Sequence, residues 1–588
     1  MAVTIAEQLV SVLVQAGVQR VYGLVGDSLN PVADAVRRSG GSGRGGIDWV
    51  HVHNEESAAL AAAAEALLTG RLAVCAASCG PGTIHLLQGL YDAHRTGAPV
   101  LAIATHIPQA QIGSGYFQET HPEALFAECS HYCELVSSPS QMPRIQRIAQ
   151  QHALGLGGVA VLVLPGDVAA MTAAHPTGSS DVVAGRGRTV PLPGQVVELA
   201  RLIEEAASVT LFCGAGVRDA REEVLALAEL VGAPVGHALG GKEWIQWDNP
   251  FDVGMSGLLG YGASYQACHE AELLVLLGTD FPYGDFLPQA RTVQVDRDPS
   301  RLGRRTVLEL GVVGDVGETL RAVLPLISRK PDRSFLHGML RRHAKALEHV
   351  VSAYTQHVSA RRPIHPEHVA AELDDLLGED AVVTVDTGMC NVWAARYITP
   401  SARRRVIGSW KHGTMANALP HAIGAQSAFP GRQVVAMSGD GGLEMLLGEL
   451  LTVVQNGLPI TVVVFNNGSL GMVRLEMMVA GYPSFETDHG PVDHAAIARA
   501  CGFHAVRVDH PDDVRAALRE ALAHDGPSLV DVVTDPDALS LPPMVTGEQV
   551  KGFALAAGRT VLQGGVGKML DVARANLRNI PRPSQLGR

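Results

Sequence analysis

Apolar residues along this chain follow two alternating rhythms. Short aliphatic runs at Arg20–Leu24, Ala73–Ala77, Val100–Ala104, Val159–Leu164, Val209–Cys213, Leu273–Leu277, Thr292–Val295, Val382–Val385, Val406–Ser409 and Ile460–Phe465 end in glycine, proline or acidic turns. They predict buried strands. Between them, apolar residues recur three and four apart, as at Ile5, Leu9, Leu13 and Val14 behind Thr4, and at Leu443 to Gln455. These predict helices. Strand and helix in alternation is the signature of α/β folds built on doubly wound parallel sheets.

The rhythm breaks twice. Residues 173–195 are rich in proline, glycine and serine and read as a linker, and 336–362 read as a basic connecting helix. Three α/β domains are therefore expected at 1–172, 196–335 and 363–535, the central one Rossmann-like, with a short helical C-terminal tail at 536–588 beyond the break at Pro542-Pro543. A length of 588 residues suits that number. The segment Gly40 to Gly46 reads as a surface insert.

Composition narrows the function. With 46 basic and 59 acidic residues the net charge is −13, which argues against nucleic acid as a partner. Eight scattered cysteines complete no zinc spacing and read as reduced thiols of a cytosolic protein. The N-terminus lacks a basic signal-peptide region, and no apolar run is long enough to span a bilayer.

The densest chemistry lies between Gly439 and Asn467. A strand pattern ends in Gly439-Asp440-Gly441-Gly442, a helical pattern follows, and the strand Ile460–Phe465 ends in Asn466-Asn467. In adjacent parallel strands, Asp440 and Asn467 would meet at one sheet edge, where ligands of α/β folds bind. A carboxylate and an amide oxygen are hard ligands suited to Mg²⁺, and Gly441 and Gly442 would let a diphosphate approach the backbone. In the first domain, Glu55 ends a strand and opens the Ala-rich helix Ser57–Leu68. A carboxylate there would be poorly solvated. In the second domain, Asp296 follows a strand, where an acid can take a ribose hydroxyl or simply close a turn.

Gly-Asp-Gly followed at this distance by Asn-Asn resembles the cofactor motif of the thiamine diphosphate superfamily. Together with Gly113 to Pro122, Glu128 to Val136 and Asn391 to Tyr397, the chain resembles the pyruvate oxidase branch, its quinone-reducing members in particular. The resemblance implies thiamine diphosphate, Mg²⁺ and FAD as cofactors. It implies oxidative decarboxylation of pyruvate to acetate and CO₂, with electrons passing through FAD to a membrane quinone. Asp440, Asn467 and the carbonyl of Ser469 would bind the metal. Glu55 would protonate the aminopyrimidine. Gly413, Thr414 and Met415 would seat the cofactor with Gly441, Gly442 and Met472 around it, Met415 as the wedge that bends it. Phe117, Gln118 and Glu476 would border the substrate. FAD would lie along Met255, Ser256, Gly257, Leu258, Gly278, Thr279, Asp280, Phe281, Pro282 and Asp296.

Two departures bear on this. Asn54 stands where a histidine usually precedes the glutamate, and Met472 where the oxidases tend to carry an aromatic residue. Gly471-Met472-Val473 also resembles acetolactate synthases, but those carry a tryptophan where this chain has Glu476. The alternatives are acetolactate synthesis, oxidation by O₂ and phosphate, and a catalytically silent regulatory subunit. The branch also implies a homotetramer on the cytoplasmic face of the membrane. The tail carries a matching pattern, in which Met569, Val572, Ala573 and Ile580 share a helical face beside Lys568, Arg574 and Arg578. Such a helix suits either a membrane interface or the protein's own surface.

Overall fold

The computed structural model describes residues 2–174, 187–348 and 362–538, with the single positions 355 and 555. The amphipathic stretch 567–580 lies outside the described residues.

Three sheets organise the molecule. The first holds β1 (Arg20–Gly23), β2 (Asp48–His51), β3 (Ala73–Ala77), β4 (Val100–His106), β5 (Tyr132–Leu135) and β6 (Val159–Pro165). Their order is β2-β1-β3-β4-β6-β5, and every pair is parallel. The second holds β7 (Val209–Cys213), β8 (Val235–His237), β9 (Asp252–Met255), β10 (Tyr261–Gly262), β11 (Leu273–Leu277), β12 (Arg291–Asp296) and β13 (Leu310–Val313), in the order β10-β9-β8-β7-β11-β12-β13. Only its edge strand β10 runs antiparallel. The third holds β14 (Val382–Val385), β15 (Arg405–Gly408), β16 (Val434–Gly439), β17 (Ile460–Asn466), β18 (His504–Val508) and β19 (Ser528–Val533). Its order is β15-β14-β16-β17-β19-β18, again all parallel. Counted within their own domains, the first and third sheets share one strand order.

The long apolar runs become strands because helices cover both faces of each sheet. β3, β4, β6 and β17 are buried at every position. The helix behind Thr4 forms with a capping box, Thr4 and Glu7 satisfying each other's backbone N–H groups. The helix expected at Ser57–Leu68 begins earlier, at Glu55, because the Asn54 side chain accepts the N–H of Glu56 at 2.8 Å and caps it. The single helix expected over Leu443–Gln455 is two, Asp440–Met445 and Glu449–Gln455. The break falls before Gly448, a poor helix former. The connecting helix expected over 336–362 is described over Ser334–Ala346, and positions 349–354 and 356–361 lie outside the described residues.

The first and third domains share one core. A single buried apolar cluster runs from Tyr22 in β1 to Leu529 in β19. At its centre the helices Glu55–Thr69 and Ala418–Ala428 cross. The first is buried on nearly all sides, which its run of alanines permits. Gly424 lies so close to the Ala61 carbonyl that an added Cβ would stand 2.1 Å from that oxygen. The Tyr22 hydroxyl bridges the seam, donating to Glu65 at 2.6 Å and lying 3.4 Å from the Gly424 carbonyl. The middle domain has its own core around β7, β11 and β12.

Candidate functional site

Strand order in the third sheet reverses between β14 and β16, and a crevice opens beyond their carboxyl ends. It is lined by Thr387, Gly388 and Met389 after β14, Gly439 to Gly442 after β16, and Asn467 and Ser469 to Val473 after β17, with Met415 from the side. The expected metal-binding and cofactor residues Asp440, Gly441, Gly442, Asn467, Ser469, Met415 and Met472 thus share one cleft.

Asp440 is buried at the floor. Its Oδ1 accepts the N–H of Gly441 at 2.9 Å and its Oδ2 that of Gly468 at 2.6 Å. The second bond ties the carboxylate to the Asn467–Ser469 turn, where Asn467 Oδ1 accepts the Ser469 N–H at 2.9 Å. Burial pushes the Asp440 carboxyl above its ordinary pKa, and the two backbone donors oppose that only in part. A divalent cation would offset the burial. A carboxylate, an amide oxygen and nearby carbonyls form a hard oxygen set that fits Mg²⁺.

The glycines answer to protein neighbours as well as to any phosphate. A Cβ on Gly442 would stand 2.2 Å from Asp386 Oδ2, and one on Gly441 2.9 Å from His489 Nε2. Asp386 is buried, with its Oδ2 unpartnered. Burial pushes its pKa up to about 7.

Gly413, Thr414 and Met415 form the turn after β15. Gly413 has φ +75° and Ala416, on the other side of Met415, has φ +65°. A non-glycine residue there is strained.

Glu55 lies elsewhere. It is buried under Gly82, accepts from His85 Nδ1 at 2.9 Å, and belongs to the first domain. Among the described residues, none before Pro366 lines the third-domain cleft. Phe117 and Gln118 also lie in the first domain, Phe117 exposed and Gln118 in the left-handed region at φ +64°. Gln118 Oε1 accepts from Cys79 Sγ at 3.5 Å. Glu55, Phe117 and Gln118 are therefore not among the residues that line the cleft holding Asp440.

The expected flavin residues collect at the carboxyl ends of the middle sheet, whose order reverses between β7 and β11. Gly278 packs on Gly216 and Thr279 on Gly214, so backbone meets backbone there. Ser256 is buried with an unpartnered hydroxyl. Asp296 accepts the Asp298 N–H at 2.9 Å, and burial raises its carboxyl. Asp280 is ion-paired with Arg304 and Arg305. Met255 and Phe281 are buried, Phe281 stacking edge-on against Phe212 beside Pro282, whereas Leu258 is exposed. Close backbone approach with an open hydroxyl fits a dinucleotide. Glu476, on the helix Gly471–Val479, faces this domain. Burial first, and then Glu476, raises the Tyr283 phenol. Tyr283 in turn abuts Gly257.

Sequence reasoning did not single out Asp92, Ser409, Asn417 and His421, all fully or nearly fully buried between the first and third domains. The available signal was Asp92 itself, a lone acid on a buried helical face. Among the described residues no helix is long and apolar enough to cross a membrane.

Three descriptions of the thiamine pyrophosphate enzyme match the chain. Its N-terminal TPP binding domain matches residues 3–125, its central domain 196–323 and its C-terminal TPP binding domain 386–532. A Bacillus subtilis protein, YdaP, named provisionally as thiamine pyrophosphate-containing, is 36% identical over 94% of this chain and 95% of its own length. The acetolactate synthase isozyme 2 large subunit of Escherichia coli is 31% identical over 90% of this chain and 95% of its own. An uncharacterised 42.6 kDa protein of Pseudomonas amyloderamosa is 51% identical over 58% of this chain and 86% of its own.

Proposed function

Because the chain belongs to the thiamine pyrophosphate enzyme family, we propose that it decarboxylates a 2-oxo acid, pyruvate first among those to test, and joins the two-carbon unit to a second 2-oxo acid. The observation that carries the first half is the cleft itself, where Asp440 clasps the Asn467–Ser469 turn at the switch point of the third sheet. The second half follows relatives named acetolactate synthase, similar over nearly the whole chain.

Thiamine diphosphate, when bound, supplies a place for the electron pair freed as CO₂ leaves. Asp440, Asn467 and the Ser469 carbonyl would hold Mg²⁺ on its diphosphate. The Gly413–Met415 turn would seat its aminopyrimidine. Glu55 would hold a proton at the ring nitrogen N1′, and in this reading it comes from a second copy of the chain, in keeping with the expected tetramer. Incubation with Mg²⁺, thiamine diphosphate, FAD and pyruvate, followed by chromatography of the products, tests the proposal. Acetolactate with CO₂ supports it, and the absence of CO₂ release from every 2-oxo acid tried refutes it.

Glu476 favours a second reading, oxidation to acetate through FAD. By the sequence resemblance it stands where synthases carry tryptophan, and it faces Tyr283 beside the expected flavin residues. Anaerobic bleaching of bound flavin by pyruvate, with acetate as product, would select this reading. A quinone acceptor would further require a membrane-facing state, tested by flotation of the pyruvate-reduced protein with anionic liposomes, with and without residues 567–588.

A further inference from the structure

One face of a single helix connects Glu55 to the expected cofactor turn of the same chain. Along Pro81–Thr96, residues His85, Gln88 and Asp92 are spaced three and four apart and share a face. His85 meets Glu55, Gln88 Nε2 donates to Thr414 Oγ1 at 2.7 Å, and Asp92 Oδ1 accepts from Ser409 Oγ at 2.6 Å. Asp92 thus reaches from the first domain into the turn after β15.

Ser409 relays that contact. Its only proton goes to Asp92, so its oxygen is left to accept. It takes the N–H of Gly413 at 2.9 Å and that of Thr414 at 3.1 Å. The other Asp92 oxygen faces His421 Nε2 at 3.4 Å. His421 Nδ1 takes an N–H from Asn417 at 3.2 Å, which puts the ring proton on Nε2, toward Asp92. Asn417 donates its own backbone N–H to Asp386 at 3.2 Å. The strained stretch Gly413–Ala416 is therefore gripped at both ends, as such backbone must be to persist.

The third domain returns the contact. Glu449, also buried, accepts the N–H of His53 at 3.2 Å, two residues before Glu55, and Thr452 Oγ1 meets His53 Nδ1 at 2.8 Å. Burying a carboxylate is costly unless it is hydrogen-bonded.

We infer that Asp92 is a positioning residue for the cofactor, setting through Ser409 the backbone of the Gly413–Met415 turn that receives the aminopyrimidine. The inference rests on the proposed function only in taking that turn as the aminopyrimidine seat.

The test is calorimetric titration of the full-length protein with thiamine diphosphate plus Mg²⁺ and, separately, inorganic pyrophosphate plus Mg²⁺, which lacks the aminopyrimidine. Asp92→Ala and Ser409→Ala should each weaken thiamine diphosphate about tenfold, the effect of one charge-assisted hydrogen bond. Both should leave pyrophosphate affinity unchanged. Asp92→Asn keeps an acceptor for Ser409 but sets an N–H against the His421 Nε2 proton, so it should lose less affinity than Asp92→Ala. Ser409→Ala decides the matter if Asp92→Ala fails to fold. Unchanged thiamine diphosphate affinity in the alanine variants, or equal losses for both ligands, would overturn the assignment. A parent protein that binds neither ligand would overturn the proposed function, and this inference with it.

Discussion

The seam between the first and third domains gives the sharpest test of the fold. In Gly424→Ala the new Cβ would stand 2.1 Å from the Ala61 carbonyl oxygen and 2.8 Å from its carbon. Real Cβ contacts do not fall below 3.0 Å, so one helix must retreat by about 0.9 Å. The obstacle is backbone in the middle of a helix buried on nearly all sides, so no side chain can rotate away. Overpacking of this kind costs about 1–3 kcal/mol, and the rigidity of the neighbour puts it at the upper end. Alanine returns about 1 kcal/mol of helix propensity. The net loss is then about 2 kcal/mol, which lowers the melting temperature of a domain of this size by about 4–8 °C. Gly431→Ala is the control, since a Cβ there meets nothing within 4 Å. Thermal unfolding followed by circular dichroism measures both. A Gly424→Ala protein that melts with the parent, or above it, would show that the helices have slack and that the close approach does not define the seam.

Other outcomes follow from the site and its surroundings. Glu55→Gln should keep the fold and lose roughly 10²–10⁴-fold in decarboxylation, as removal of a general acid–base group does; activity within threefold of the parent would remove Glu55 from the chemistry. Asp440→Ala should abolish Mg²⁺-dependent thiamine diphosphate binding and spare any flavin bound by the middle domain, so unchanged cofactor affinity by calorimetry would refute the metal assignment. Burial works to lower the His494 pKa, but Asp531 and Glu444 outweigh it and raise it above its ordinary value. Its ion pairs therefore stabilise fully below pH about 6.5 and are lost as pH rises through the higher folded value. The parent should lose stability as pH rises above about 6.5 relative to His494→Gln, and parallel pH profiles for the two would contradict the pairing.

Much of this architecture is legible in the sequence because the parallel strands are buried on both faces. Ala73–Ala77, Val209–Cys213, Leu273–Leu277 and Val382–Val385 have the same limits in the sequence pattern and in the structure. Short edge strands such as Tyr132–Leu135 and Tyr261–Gly262 carry no such run and were invisible. Asp440 and Asn467 could be placed together because each follows a strand and the strands are neighbours. Nothing local shows that Glu55 lies away from that cleft. Its position depends on how two helices far apart in sequence pack, and that is decided by alanines and Gly424 rather than by a motif. The split of Leu443–Gln455 was hidden because Leu446 and Leu447 keep the apolar spacing through the turn. Asp92 was passed over for a related reason, since a single acid in a helix reads as a solvated position until the third domain covers it.

The strand order shared by the first and third sheets has a consequence for how the chain is assembled. In each domain the helix after the second strand, Glu55–Thr69 or Ala418–Ala428, makes the central contact with the other domain. Equivalent surfaces meeting each other is the arrangement of a symmetric homodimer. The chain thus reads as a covalently joined pair of like modules, in which the middle domain serves as a tether that keeps the two at high effective concentration. Since the joint does not run through the tether, the modules expressed as separate polypeptides retain the whole of their mutual surface.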